Sequence, residues 1–283
     1  KGEEIKMQDL SPEVARAIRR FEPIETECLT LYPIRVKDII EFTIARPAIE
    51  FMQQSLPVAL MSKPLLQAYY QMELDAAANG QPGSGNFYKS IMFLLLALRA
   101  GDGLSAEKRM ELVDIEPDEN NPMRLKSVLI FVGGEVKRIT PMQFQRLRPI
   151  LAAQNGIELL SENANPELVQ AERDLAEMNA PNLQYDVLAL KATIATVSGA
   201  DEAEMEEWPI LKLLRRRDAV QRLVGFITCS FAESQGGKWK HGNPYPSPLY
   251  DREIDYCGGL IDMSTFAGGA GMRAVQNAGN KTT

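Results

Sequence analysis

The sequence predicts a mainly α-helical fold with a small antiparallel β-hairpin element (α+β), helical regions lying on either side of a central hairpin. The β-branched run Val128–Val132 meets Gly133-Gly134 and a second short strand, Glu135–Ile139. Two glycines between apolar runs supply the positive φ of a tight turn. Directly afterwards Thr140-Pro141 reads as a helix start, Thr as N-cap and Pro at the first helical position. Apolar residues at helical spacing then recur on both sides of this unit, over about 29–103 and 158–236.

Taken in order, residues 1–28 are polar with one helical patch, Pro12 to Phe21, and read as an N-terminal arm. Residues 29–156 form a helical region plus the hairpin and its capped helix. Strand-like residues at Leu29–Tyr32 give way to a helical pattern with Val36, Ile39 and Ile40 on one face. Arg46-Pro47 is expected to break that helix, and Ala48–Leu56 to resume it. Ser62 and Pro64 open a helix that ends at Asn79-Gly80, and GQPGSG is a loop by composition. Phe87–Leu98 is too short to span a bilayer, which takes roughly 20 residues, and reads as a fully buried helix. Met110–Ile115 is a strand candidate followed by an acidic turn.

In the hairpin, the Gly-Gly turn sets Val132 opposite Glu135, Phe131 opposite Val136 and Leu129 opposite Arg138. Apolar groups then fall on both faces, which implies either cover on both sides or a different register. Phe144, Leu147, Ile150 and Leu151 make the apolar stripe of the following helix. Pro149 is expected to kink it, and Asn155-Gly156 to end it.

Residues 157–236 form a second helical region. Asn165-Pro166 caps one helix, and Tyr185–Val197, closed by Ser198-Gly199, is another. Twelve acidic residues between Glu158 and Glu207 face only Arg173 and Lys191, leaving −10. A long helix follows from Pro209 to about Ser234, with Ile210, Leu213, Leu214, Val220, Leu223, Val224 and Ile227 on its apolar side. It carries Lys212, Arg215, Arg216, Arg217 and Arg222, so the acidic block and this helix are expected to neutralise each other. Residues 237–283 are a Pro/aromatic and Gly/Ala-rich tail with too little apolar area to fold alone.

The chain has 283 residues, 45% hydrophobic and 24% charged, with a net charge of −7. That balance argues against a general nucleic-acid binder and an anionic membrane surface. Cys28, Cys229 and Cys257 stand apart with no CxxC, which fits a reducing compartment. No signal peptide is read at Lys1, so the chain is expected to be made inside the cell.

Motifs of catalysis are weak. His241 is the only histidine, and Cys229 twelve residues before it forms no recognisable Cys–His pattern. Asp114, Glu116 and Asp118 invite a hard cation, but Glu119 and Leu125 stand where a calcium loop needs Gly and Glu. Glycines 258, 259, 268, 269 and 271 match neither phosphate-binding motif. No catalytic residue, metal ligand or cofactor is expected. The interaction candidates are Trp239, Tyr245 and Tyr250 in the proline-stiffened segment and the cluster Arg215, Arg216, Arg217. The aromatics either meet a partner or pack back on the helices. The arginines either touch nucleic acid or form a charged helix face, and the second fits better without interleaved aromatics.

The order LYPIRVKDIIEF, a hairpin, ITPMQFQRLRPILAAQNGIEL and NPELVQAERDL, then DVLALKATIATVSGADEAEMEEWPILKLLRRRDAV and SFAESQGGKWKHGNP, resembles tail-region proteins of tailed phages and prophages of Gram-positive bacteria. The resemblance spans roughly residues 29–248 and points to tail assembly chaperones. It implies a non-enzymatic role, holding the tape-measure protein while tube subunits polymerise, in the cytoplasm of the host bacterium. A structural subunit of the tail or baseplate, resident in the virion and using its terminal arms, is the alternative it leaves. An enzyme with a site near His241 stands further back. A homo-oligomer is left open.

Overall fold

A computed structural model describes residues 10–27, 29–159, 186–239 and 242–249, with isolated positions at 167, 171, 174 and 175. The chain divides into two compact units, residues 1–218 and 219–283. The boundary falls inside the last helix, whereas the sequence reading placed a division after residue 236.

The first unit is mainly helical with two small antiparallel sheets, of two and three strands, in keeping with the expected α+β class. Its elements are α1 (Pro12–Arg20), the strand pair β1 (Ile24–Glu25) and β2 (Thr30–Leu31), α2 (Ile39–Glu50), α3 (Val58–Met61), α4 (Leu65–Ala78), α5 (Asn86–Ala97) and α6 (Ala106–Met110). The sheet follows as β3 (Val113–Asp118), β4 (Asn121–Val132) and β5 (Glu135–Ile139), then α7 (Pro141–Gln154), α8 (Val187–Ser198), α9 (Glu202–Met205) and α10 (Ile210–Ser234).

The hairpin register is the one read from the Gly-Gly turn: Val132 pairs Glu135, Phe131 pairs Val136 and Leu129 pairs Arg138. Gly133 and Gly134 both take positive φ, 58° and 84°, which suits a turn whose twist matches the strands. One face, with Val128, Ile130 and Ile139, is buried. The other leaves Phe131 and Val136 exposed, so the hairpin is covered on one side only. The strand expected at Met110–Ile115 appears as β3, shifted to run through Asp118 before a turn at Glu119-Asn120, and it lies antiparallel to β4 in the order β3-β4-β5. Pro117 sits where that register shifts, a place an edge strand tolerates because no donor is needed there.

α5 is the buried helix: Phe87, Ile91, Phe93, Leu94, Leu95 and Leu96 are all almost inaccessible. α2 and α4 pack against it, and α4 also packs on β4 and α7. Gln67 of α4 takes a strand's part at the sheet end. Its Oε1 accepts from Leu125 N–H at 2.7 Å, and its Nε2 donates to the Met123 carbonyl.

α2 continues through Pro47 to Glu50, so the break expected at Arg46-Pro47 does not occur. The carbonyls at its far end are instead held by tertiary donors. Tyr69 OH donates to the Ala48 carbonyl at 3.0 Å, and Arg148 donates to those of Ile49 and Phe51. Such donors offset the bond a proline removes. α7 opens with the expected Thr140 cap, completed as a capping box by Gln143.

α1 is not a free arm. Ile18 and Ile24 are buried with Leu211, and Val14, Ala17, Phe21, Ile150 and Ala153 pack around them. The amphipathic spacing seen in the sequence is the face that docks on α7. The helix expected at Asn165-Pro166 lies outside the described residues.

Candidate functional site

Three stretches distant in sequence, residues 31–37, 154–156 and 206–211, meet in the first unit. Arg35 pairs with Pro209 in an antiparallel bridge. Around it Val36 N–H donates to the Trp208 carbonyl, Lys37 N–H to Glu206 and Ile210 N–H to Ile34. From the α7 terminus, Asn155 Oδ1 accepts from Ile34 N–H at 2.9 Å and Gln154 Nε2 donates to the Leu31 carbonyl at 3.1 Å. Gly156, at φ 71°, has Leu211 where a side chain would begin.

Side chains reinforce this join. The Arg35 guanidinium, almost buried, reaches Asp102 at 2.5 Å and Glu207 at 2.9 Å, and Lys37 reaches the same two carboxylates. Hydrogen bonds from Arg35 and Lys37 hold Asp102 below the usual carboxylate range. Lys37, then Arg35, does the same for Glu207. Beneath them Asp38 and Arg109 form a buried pair at 2.6 Å. Every charge in this cluster has an opposite neighbour, so it holds no spare acid, base or nucleophile. It is a structural clasp.

Two acids of the block have partners outside α10: Glu207 pairs with Arg35 and Lys37, and Glu206 with the buried Lys191. Three cations of α10 have other neighbours. Lys212 lies 3.9 Å from the centre of the Trp208 ring, Arg215 lies 5.3 Å from that of Phe21, and Arg217 pairs with its neighbour Asp218. Arg216 is exposed, with no ion pair among the described residues. Three arginines with three different fates do not form one patch.

No chemical centre appears elsewhere among the described residues. Glu116, which alternates with Asp114 and Asp118, accepts from Lys126 and Ser127 and faces Arg138. Among these described residues no cluster of three His, Cys, Asp or Glu is placed to hold a metal ion, and no helix is long and apolar enough to cross a membrane. A cavity of about 480 Å³ is lined by Glu25, Glu27, Thr30, Tyr32, Val132 and Lys137 among others, and in it the Thr30 hydroxyl donates to the Glu25 carboxylate at 2.8 Å. His241, Cys28, Cys257, Tyr250 and the late glycines lie outside the described residues.

The second unit contains the more telling geometry. Along α10 the side chains of Leu223, Val224, Ile227 and Phe231 are 40%, 53%, 57% and 67% exposed. The sequence reading placed the first three on an apolar face, where burial is expected, and did not include Phe231. The opposite side of the same helix is covered. Tyr245 lies against Gly225, where an added Cβ would come within 2.6 Å of its ring, and Cys229 one turn on is buried. Tyr245 thus packs back on the helix, one of the two outcomes left open for the aromatics. Trp239 is 38% exposed.

No family model, curated protein or solved structure matches the chain.

Proposed function

We propose that this protein is a non-enzymatic binder of other polypeptides, acting in the host bacterial cytoplasm as a phage tail assembly chaperone. The observation that carries the binding role is the apolar stripe Leu223, Val224, Ile227 and Phe231, open to solvent on α10. A helix that keeps four large apolar side chains in water has a surface suited to an amphipathic client helix. The charged clasp is read as structural, since its groups are mutually paired. The tail setting comes from the resemblance carried by LYPIRVKDIIEF and the α7 and α10 stretches, with the tape-measure protein and tube subunits as clients. Trp239 stays a candidate contact, partly exposed, whereas Tyr245 packs on the opposite side of α10.

The test is quantitative mass spectrometry of finished tail particles against the crude lysate, combined with co-purification of the co-expressed tape-measure protein. A chaperone is abundant in the lysate, absent from particles, and loses its client on Ile227→Asp. Fixed copies in the particle would make it a structural subunit instead. A turnover abolished by His241→Ala would make it an enzyme.

A further inference from the structure

We propose that the free edge of β5 receives an extended segment of another polypeptide. The segment adds antiparallel to the sheet and carries an apolar side chain four residues before a lysine or arginine. This surface lies within the first unit, and the proposal does not depend on the stripe of α10.

The backbone of the edge is open. β5 is the last strand in the order β3-β4-β5. Phe131 N–H donates to the Leu112 carbonyl at 2.9 Å, on the β3 side. In an antiparallel ladder a residue turns both backbone groups to one side, and successive pairs alternate between bonded and non-bonded. Val136, the partner of Phe131, therefore turns its N–H and C=O away from β4, and Arg138 two residues on does the same. Among the described residues these four groups have no partner. Such an edge is a template for another strand.

Two cavities run beside it and decide what is added. The one of about 480 Å³ takes Glu135 and Lys137 from β5, and a second, of about 220 Å³, takes Arg138 and Ile139. Thr26, Glu27 and Leu29 line both, so the two are successive parts of one groove. The first sets the carboxylates of Glu25, Glu27 and Glu135 against the single ammonium of Lys137, a surplus that attracts a cation. The second is lined by Leu29, Ile139, Leu147 and Ile150, with Arg138 and Arg146 against Glu27. It therefore takes an apolar side chain and rejects a cation.

The pleat sets the spacing. Side chains of an added strand that point to the cavity side stand opposite Ile139, Lys137 and Glu135. The residue opposite Ile139 enters the apolar cavity. The one opposite Glu135, four residues and ~13 Å on, reaches the carboxylates, whereas a cation opposite Lys137 would meet its own charge. Antiparallel addition, the more stable pairing, places the apolar residue first.

Fluorescence anisotropy of a labelled peptide with blocked ends, Ala-Leu-Thr-Thr-Thr-Lys-Ala, titrated with the full chain, tests this. Saturable binding is expected. Glutamate in place of the peptide's lysine should weaken it about tenfold, and Glu25→Gln with Glu135→Gln several-fold. N-methylation of the third threonine, opposite Val136, removes a ladder donor and should cost about tenfold or more. The same change on the middle threonine, whose N–H faces away, should cost little. Val136→Pro removes only an outward N–H of an edge strand, so peptide binding should fall with unchanged circular dichroism. Absence of saturable binding, or equal losses from the two N-methyl peptides, overturns the proposal. Tighter binding of the reversed peptide overturns the antiparallel order. A dimer in sedimentation velocity that Val136→Pro dissolves, with the peptide unbound, gives the edge to a second copy and overturns it too. Client capture lost on Ile227→Asp reads the stripe of α10 separately, so either proposal can fail alone.

Discussion

Asn155 Oδ1 accepts the backbone N–H of Ile34 at 2.9 Å across 121 residues of sequence, while its Nδ2 donates to the Leu151 carbonyl at 2.8 Å. The residue that ends α7 therefore also fastens the segment leading into α2. Both groups are buried, so Asn155→Ala leaves an amide N–H without a partner in a dry site. The expected cost is about 1–3 kcal/mol, read as a lower urea midpoint with an unchanged slope. A surface cap would lose much less.

Asp38 and Arg109 face each other at 2.6 Å with side chains only 10% and 4% exposed. Asp38→Ala strands the guanidinium, at an expected cost of ~3–5 kcal/mol. Replacing both, as Asp38→Leu with Arg109→Met, should cost clearly less than the single change. Thermal denaturation of the three variants checks the order; a double mutant as unstable as the single one would contradict it.

The clasp also sets an acid limit. Asp102 and Glu207 have folded values below their ordinary 3.8 and 4.5, chiefly through hydrogen bonds from Arg35 and Lys37 respectively. A depressed folded value means the unfolded chain binds protons first as pH falls. Their contribution is therefore complete above the ordinary values and is lost as pH drops through the folded ones. Melting temperature should decline below about pH 4, and less steeply in Asp102→Asn/Glu207→Gln. Both carboxylates are more than a third exposed, so solvent screening keeps this effect small.

Gly225 offers a test whose sign decides between two pictures. In an uncovered helix, Gly→Ala stabilises by about 1 kcal/mol. Here the new Cβ would meet the Tyr245 ring at 2.6 Å. Gly225→Ala should therefore displace the segment around Tyr245 and speed its cleavage in limited proteolysis. Unchanged cleavage with raised stability would show that Tyr245 does not rest on the helix.

The hairpin register, the Thr140 cap, the Asn79-Gly80 and Asn155-Gly156 stops and the identity of α5 were all legible before the structure. Each depends on contacts within a few residues: a glycine turn, a proline at a first turn, an apolar period. Pro47 misled because Tyr69 and Arg148, distant in sequence, supply the donors that steady the end of α2. The partners of Glu207 were not legible because Arg35 and Lys37 reach it across about 170 residues. Phe231 was detectable, since it continues the spacing of Val220, Val224 and Ile227.

By itself, the sequence determined the register of the β4–β5 hairpin and where α5 and α7 start and stop, because capping, turn geometry and periodic burial are short-range properties of the backbone. Only the tertiary structure decided which apolar face is covered and which charges are paired. On α10 the pattern of apolar residues is the same whether a face is buried or open; the ring of Tyr245 on Gly225 covers one side, and nothing among the described residues covers Ile227 and Phe231 on the other.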